Sequence, residues 1–135
     1  MIRSLDQMVA KVLSGGRKYR IAVAWAHDDN TILAIRKAVE EGIAEALLTG
    51  RKKEILKNCQ AWGIKPENFT IIESDDEVSA SADAVKLAKT GDADIVMKGL
   101  AGTSHFLKAV MDKEKGLMLP GAVLSYVGAL QLPAY

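Results

Sequence analysis

Short apolar runs alternate with amphipathic segments along most of this sequence. The clearest run, residues 21–26, is almost continuously apolar, which is typical of a central parallel strand covered on both faces. Similar strand-like runs occur at 44–49, 69–72 and 93–98. Helical periodicity separates them at 31–41, 51–62 and 77–89. The alternation predicts an α/β fold: a wound, mostly parallel sheet with helices on both faces.

The two ends of the chain add one element each. Leu5, Met8 and Val12 recur at helical spacing, and Gly15-Gly16 ends this first predicted helix. Residues 122–132 are mostly apolar, and we interpret them as a strand at the edge of the sheet. The sequence stops soon afterwards without a polar tail, so we expect residues 1–135 to be one domain of a longer protein.

Composition excludes several classes of protein. Eighteen basic and seventeen acidic residues give a net charge of +1, without a block of like charge, so nucleic acid is not an expected partner. The single cysteine, Cys59, cannot form an internal disulfide and is predicted to pack within a helix. No apolar stretch approaches the roughly 18 residues of a membrane span, and no signal peptide is evident. We therefore expect a cytoplasmic protein without a membrane partner.

The turn after the run 93–98 is the candidate binding site. In open parallel sheets, ligands bind beyond the carboxyl ends of the strands. Here Lys98 and Gly99 lead into Thr103 and Ser104, which are predicted to cap the next helix. Glycine lets the backbone approach a ligand, and the helix offers free N–H groups to an anion. The alternative is a tight turn in which Thr103 only caps the helix and Lys98 is solvated.

The remaining polar clusters have simpler interpretations. His27 and the following Asp28, Asp29 and Asn30 could carry a proton or orient a substrate, but a helix cap is favoured. The acidic residues 73–77 also precede a helix and are interpreted as a cap. His27 and His105 lack the spacing of a metal site, so no metal is predicted. The turn after Lys98 matches neither the G-x-G-x-x-G fingerprint nor a Walker A loop.

A resemblance to a known family rests on several motifs. They are Ile95-Val96-Met97-Lys98-Gly99-Leu100, Thr103, Phe106-Leu107-Lys108-Ala109-Val110, Lys113-Glu114-Lys115-Gly116-Leu117 and Pro120-Gly121-Ala122-Val123-Leu124-Ser125. In order and spacing they resemble the phosphate butyryltransferase and phosphate acetyltransferase family. Weaker similarity covers the rest of the chain, including Val23-Ala24-Trp25-Ala26.

The resemblance implies reversible transfer of a butyryl or acetyl group between coenzyme A and inorganic phosphate. It implies a two-domain enzyme whose domains are like those of isocitrate and isopropylmalate dehydrogenases, with this chain as the N-terminal part. Coenzyme A is then a substrate, no cofactor is covalently bound, and homo-oligomers are expected, with residues 130–135 as a candidate contact surface.

The residues that match the family's motifs as lining for phosphate or acyl phosphate are Lys98, Gly99, Thr103 and Ser125, and Ser104 joins the predicted site through its place at the start of the helix. Catalytic residues are expected in a second half that this sequence does not contain, so this chain alone is expected to be inactive. Cys59 is not needed as a nucleophile. Tyr126, where this branch usually has His, and His27 depart from the family pattern.

Two alternatives stay open at this point. One is a non-catalytic or regulatory module that binds phosphate or acyl phosphate. The other is an unrelated flavodoxin-like signalling domain, which predicts a metal held among Asp28, Asp29 and Asp75.

Overall fold

A computed structural model describes residues 1–133 of the chain. Four parallel strands form one sheet, in the order β3-β2-β1-β4. They are β1 (Tyr19–Ala24), β2 (Ala44–Gly50), β3 (Phe69–Glu73) and β4 (Ile95–Lys98). The helices are α1 (Leu5–Ser14), α2 (Asp29–Glu40), α3 (Lys52–Ala61), α4 (Glu77–Lys89) and α5 (Thr103–Met111). The predicted parallel α/β fold is confirmed.

The core lies on both faces of the sheet. Val23 of β1 packs with Ile32 of α2 and Ile55 of α3 on one face. Its neighbours Ala22 and Ala24 face the other way, towards α4. The alternation follows from the period of two along a strand, and the small alanines let α4 lie close to the sheet. Helices therefore cover both faces, as the continuous apolar run predicted.

The predicted caps fix where two helices begin. The Asp28 side chain accepts a hydrogen bond from the N–H of Thr31 at 3.1 Å and caps α2. Asp76 accepts from the N–H of Ser79 at 2.8 Å, and the Ser79 hydroxyl accepts from the N–H of Asp76, so α4 begins with a reciprocal capping box. Both acidic clusters that follow strands are thus used in helix capping.

The first helix forms as predicted but packs differently from the others. Ser4 caps α1, and none of the residues of α1 is buried. Its apolar residues remain partly exposed, including Leu5 at 47% and Leu13 at 43%. The apolar face that the periodicity identified is therefore not part of the core within residues 1–133.

The predicted edge strand at residues 122–132 is wrong. This segment has no regular structure in the described chain, and Val123 and Tyr126 are 88% and 91% exposed. The N–H of Leu5 donates to Oε1 of Gln131, at 2.8 Å. Apolar, β-branched composition is compatible with a strand, but a strand also needs a partner that supplies ladder hydrogen bonds. Ala134 and Tyr135, which end the predicted contact surface, lie outside the described residues.

No helix within residues 1–133 has the length and apolar content needed to cross a bilayer.

Candidate functional site at the carboxyl edge of the sheet

The order of the strands reverses direction at β1. From β1 the chain adds β2 and then β3 on one side, and β4 then pairs with β1 on the other side. The connection from β1 leads to β2 on one side, and the connection from β3 returns to β4 on the other side, so the carboxyl ends of β1 and β4 flank the switch point of the sheet. Ligands of open α/β sheets bind at such a point. The turn singled out from the sequence lies here.

Gly99 holds this turn against the end of β1. The N–H of Gly99 donates to the carbonyl oxygen of Ala24, and the N–H of Leu100 donates to that of Trp25, both at 2.9 Å. A Cβ at Gly99 would lie 2.6 Å from the Ala24 oxygen and 2.7 Å from the Trp25 oxygen. The absence of a side chain therefore permits the close approach of the two backbones.

The ammonium group of Lys98 folds back over the turn. Its Nζ donates to the carbonyl oxygen of Ala101 at 2.9 Å and of Gly99 at 3.3 Å. These contacts hold the ammonium group of the exposed Lys98 near the carboxyl end of β4. The carbonyl groups that accept from Lys98 are neutral, so they leave its charge uncompensated.

The helix after the turn begins one residue earlier than predicted. Gly102, with a φ of −58° and a ψ of 139°, is the N-cap of α5 and has no capping side chain, whereas Thr103 is already helical. The prediction that Thr103 or Ser104 caps this helix is wrong, because the backbone of Gly102 makes the transition into the helix. The N–H groups of Thr103 and Ser104 belong to the first turn, where no intrahelical acceptor exists.

A carboxylate of the protein lies at this helix N-terminus. Oε2 of Glu77, the first residue of α4, accepts from the N–H of Gly102 at 2.9 Å. Its Oε1 lies 3.0 Å from Nδ1 of His105. The hydrogen bond from Gly102 is the main cause of a lowered pKa of the Glu77 carboxyl group. The N-terminus of α5 thus already interacts with one negative group.

Four of the five predicted site residues share one turn. Lys98, Gly99, Thr103 and Ser104 run from the end of β4 into the first turn of α5. Ser125 lies instead on the exposed segment without regular structure. Within residues 1–133, no hydrogen bond joins Ser125 to the turn.

A second group of residues at the same edge was not assigned to the site from the sequence. Trp25 has a φ of 61°, in the left-handed region that a bulky residue rarely adopts. Its ring lies 3.7 Å from that of His27, centre to centre. The guanidinium carbon of Arg51 lies 5.6 Å from the centre of the indole. The position of Trp25 at a strand end was the available signal, but its backbone angle cannot be read from composition.

His27 links this group together through its imidazole. Its Nε2 accepts a hydrogen bond from the backbone N–H of Arg51 at 2.8 Å, which requires a neutral ring nitrogen. Burial is the main cause of the lowered pKa of His27. The residue therefore supports the start of the α3 region in its neutral form.

Two further features bear on the ligand class. Within residues 1–133, no group of three or more His, Cys, Asp or Glu side chains could hold a metal ion, and Asp28 caps α2. A groove of about 490 Å³ lies between α4 and α5, lined by residues that include Lys86, Lys89 and Lys115. It lies towards the end of α4, away from Glu77 and the turn. The flavodoxin-like alternative with a metal among Asp28, Asp29 and Asp75 gains no support.

The sheet order, the two helical layers and the turn define an α/β domain of the kind found in phosphotransacylases. A phosphotransacetylase from Streptococcus pyogenes matches 80% of this chain with a TM-score of 0.68 and 16% identity, and the match spans 42% of that chain. A branched-chain phosphotransacylase from Enterococcus faecalis matches 72% of this chain with a TM-score of 0.60 and 19% identity, spanning 33% of that chain.

Several curated relatives share a higher sequence identity with this chain than these two solved structures do. The chain is 38% identical over 131 residues to phosphate butyryltransferase of Clostridium acetobutylicum, covering 97% of this chain and 43% of that relative. It is 33% identical over 135 residues to phosphate butyryltransferase of Clostridium beijerinckii, covering 100% and 44%. With phosphate acetyltransferase of Thermotoga maritima it shares 30% identity over 131 residues, covering 97% and 43%.

The resemblance to phosphate butyryl- and acetyltransferases is thereby confirmed over nearly the whole chain. The chain spans less than half the length of these curated relatives. No family model matches the sequence.

Proposed function

We propose that this chain is the N-terminal domain of a phosphate acyltransferase, which moves a butyryl or acetyl group reversibly between coenzyme A and inorganic phosphate. The observation that carries this proposal is the 38% identity over 97% of the chain to a phosphate butyryltransferase. The proposed architecture has two domains, each like those of isocitrate and isopropylmalate dehydrogenases. Homo-oligomer formation and a cytoplasmic location stay predictions.

The proposed reaction places the phosphate at the β4–α5 turn. The thiolate of coenzyme A attacks the carbonyl carbon of the acyl phosphate, so a carbon–sulfur bond forms. The bond between that carbon and the bridging phosphate oxygen breaks, and inorganic phosphate leaves with the electron pair. The reverse reaction follows the same steps. The groups that position the thiol are assigned to the part of the enzyme outside this chain, and no covalently bound cofactor is required.

Three features of the turn support a phosphate site. The N–H groups of Thr103 and Ser104 lie at a helix N-terminus, where the partial positive charge favours an anion. The ammonium group of Lys98 lies at the same turn, where it donates to the carbonyl oxygen of Ala101. Gly99 brings the turn against the carboxyl end of β1. Ser125 becomes part of the site only when the exposed segment folds over this edge.

A binding experiment tests the proposed site. Inorganic phosphate, acetyl phosphate and coenzyme A are titrated separately into the isotope-labelled chain, and amide shifts are followed by NMR. We expect phosphate to shift the amides of residues 99–104, and Lys98→Gln to reduce the effect. The matched control is Lys108→Gln, because Lys108 lies in the last turn of α5, at the other end of the helix from the proposed site. Absence of a response at the turn would refute the phosphate site.

An activity measurement separates the two candidate functions. The chain alone is expected not to convert butyryl-CoA and phosphate into butyryl phosphate, because orientation of the thiol is missing. Robust turnover by the chain alone would contradict this division of roles. Supplying the remaining portion of a phosphate butyryltransferase relative should restore turnover. The alternative, a regulatory module that only binds phosphate, predicts binding at the turn without restored turnover, and the short coverage of the relatives favours testing it.

A further inference from the structure

A guanidinium group is held at the same edge of the sheet as the β4–α5 turn. Arg51 directly follows β2 and precedes α3. Its Nε donates to the backbone carbonyl of Asp75 at 3.0 Å, and its Cζ lies 5.6 Å from the centre of the Trp25 ring. A carbonyl oxygen and an aromatic face both attract a cation but carry no net charge. They therefore fix the position of the guanidinium without neutralising it.

The residues beneath the guanidinium form a rigid support. The Trp25 ring packs against His27, whose Nε2 accepts from the N–H of Arg51. A Cβ at Gly50 would lie 2.6 Å from the same Nε2, so the imidazole fits only against a glycine. Trp25 itself adopts a φ of 61°. Backbone strain at a bulky residue persists only where its surroundings determine it, and such residues cluster at ligand sites.

Most of the hydrogen-bonding capacity of Arg51 is unused. A guanidinium has five N–H donors, and only the one on Nε has an acceptor among residues 1–133. In this part of the chain no carboxylate lies within 4 Å of Arg51, whereas Arg17, Arg20 and Arg36 each pair with one. The four donors on the terminal nitrogens are therefore available to a ligand.

Two acidic side chains of the same region are engaged with backbone N–H groups. Glu73 accepts from the N–H of Lys52 at 2.8 Å, and Asp76 caps α4. The support and the turn are also joined by the backbone. Trp25 accepts from Leu100, and Asp75 lies two residues before Glu77, which accepts from Gly102. Arg51 and the phosphate turn are therefore parts of one connected edge.

We propose that Arg51, positioned by Trp25, binds a phosphoryl group of the substrate at this edge. The inference rests on the proposed acyltransferase function and deepens it. The planar guanidinium matches two phosphoryl oxygens at once, which an ammonium group cannot do. In the proposed reaction, this group comes either from inorganic or acyl phosphate, or from coenzyme A. The two sources share the recognition chemistry and are separated by experiment.

The test uses Trp25 as a fluorescent reporter. The chain contains two tryptophans, so Trp62→Phe leaves Trp25 as the only one. This variant is titrated with inorganic phosphate, coenzyme A and dephospho-coenzyme A, which lacks the 3′-phosphate. We expect a change in Trp25 emission. In the same background, Arg51→Gln should reduce the affinity for the ligand that changes the emission roughly tenfold or more, and Arg51→Lys should reduce it less. Arg36→Gln, which removes an exposed arginine paired with Glu40, is the matched control and should change nothing.

The ligands separate the two sources of the phosphoryl group. Stronger binding of coenzyme A than of dephospho-coenzyme A, with the difference lost in Arg51→Gln, assigns Arg51 to the 3′-phosphate. If Arg51→Gln weakens the binding of inorganic phosphate as much as the binding of coenzyme A, Arg51 is assigned to the transferred phosphoryl group. Unchanged affinity in Arg51→Gln, with the amides of Thr103 and Ser104 still shifting, overturns the role of Arg51 but leaves the proposed function intact. No emission change with any ligand also overturns it, whatever the turn shows. Thermal unfolding checks that Arg51→Gln is folded. If it is not, Arg51→Lys is used in its place, and the role of Arg51 is judged by the same criteria.

Discussion

Oε2 of Glu77 accepts a hydrogen bond from the backbone N–H of Gly102, at 2.9 Å. The contact joins the first residue of α4 to the N-cap of α5, 25 positions later in the sequence. A carboxylate thereby compensates part of the positive end of α5. A phosphate at the proposed site must share this helix terminus with Glu77 or displace it.

Neutralising Glu77 should strengthen anion binding at the turn. Glu77→Gln keeps the shape of the side chain but removes a negative charge from the proposed phosphate site. We expect roughly fivefold tighter binding of inorganic phosphate, because repulsion between like charges at short range is relieved. NMR titration of the amides of Thr103 and Ser104 measures the change. Glu67→Gln, in the short turn Pro66–Asn68, is the control. Weaker binding in Glu77→Gln would show that Glu77 helps to hold the ligand.

Gly99 and Gly102 are expected to differ sharply in their tolerance of a methyl group. A Cβ at Gly99 would lie 2.6 Å from the carbonyl oxygen of Ala24, so Gly99→Ala forces the turn away from β1. We expect a loss of about 1–3 kcal/mol in the free energy of unfolding. At Gly102 the nearest atom to a new Cβ is Oε2 of Glu77 at 3.6 Å, which is ordinary contact. Gly102→Ala should cost less than about 1 kcal/mol. Equal losses in urea denaturation would contradict the close-approach role of Gly99.

Protonation of His27 should destabilise the fold. Burial lowers the pKa of His27 below its ordinary value of 6.5, so the unfolded chain binds this proton more readily than the folded chain. The stability that the neutral ring contributes is therefore complete above about pH 6.5, and it is lost as the pH falls through the folded pKa. NMR titration of the His27 ring protons gives the pKa directly. His27→Gln should flatten this part of the stability profile, and a pKa at or above 6.5 would contradict the buried neutral ring.

Asp94 should account for part of the loss of folding stability at low pH. Its carboxylate accepts hydrogen bonds from the side chain and the backbone N–H of Arg20, and Arg17 lies 2.9 Å away. The Arg20 side chain is the first cause that lowers the pKa of Asp94 to about 2. Because this pKa is depressed, the contribution is present above the unfolded value of 3.8 and is lost as the pH falls towards 2.

Urea denaturation between pH 7 and pH 2 measures the effect of Asp94. Asp94→Asn should be less stable than the unsubstituted chain at neutral pH, and the difference should vanish near pH 2. Asp6→Asn in the exposed helix α1 is the control. A difference that persists at pH 2 would show that the asparagine disturbs the structure rather than removing an ionic interaction.

The sheet could be predicted because its requirements are local. The run 21–26, which covers the end of β1, is apolar at successive positions, and this is typical of a parallel strand covered by helices on both faces. Asp28 and Asp76 stand where helix N-caps are needed, so their roles also follow from the sequence. The prediction of a strand at residues 122–132 from apolar content alone was wrong, because strand formation depends on a neighbouring strand as well as on composition.

The site could be predicted only in part. The position of Gly99 after a buried strand indicated a turn, but its contacts with Ala24 and Trp25 depend on the strand order. The contact between Glu77 and Gly102 joins residues far apart in sequence, so no local sequence pattern predicts it. The cap of α5 depends on the backbone angles of Gly102, which glycine itself does not specify.

Cys59 makes the opening of one helical layer measurable. It is the single cysteine of the chain, it lies in α3, and none of its surface is exposed. Burial also raises the pKa of its thiol, so the reactive thiolate is scarce in the closed state. Reaction with a thiol reagent must therefore wait for α3 to separate from the sheet. The labelling rate at increasing reagent concentration gives the rate at which α3 opens. A change in this rate upon ligand addition shows whether binding at the carboxyl edge of the sheet affects the stability of α3, the helix that follows Arg51.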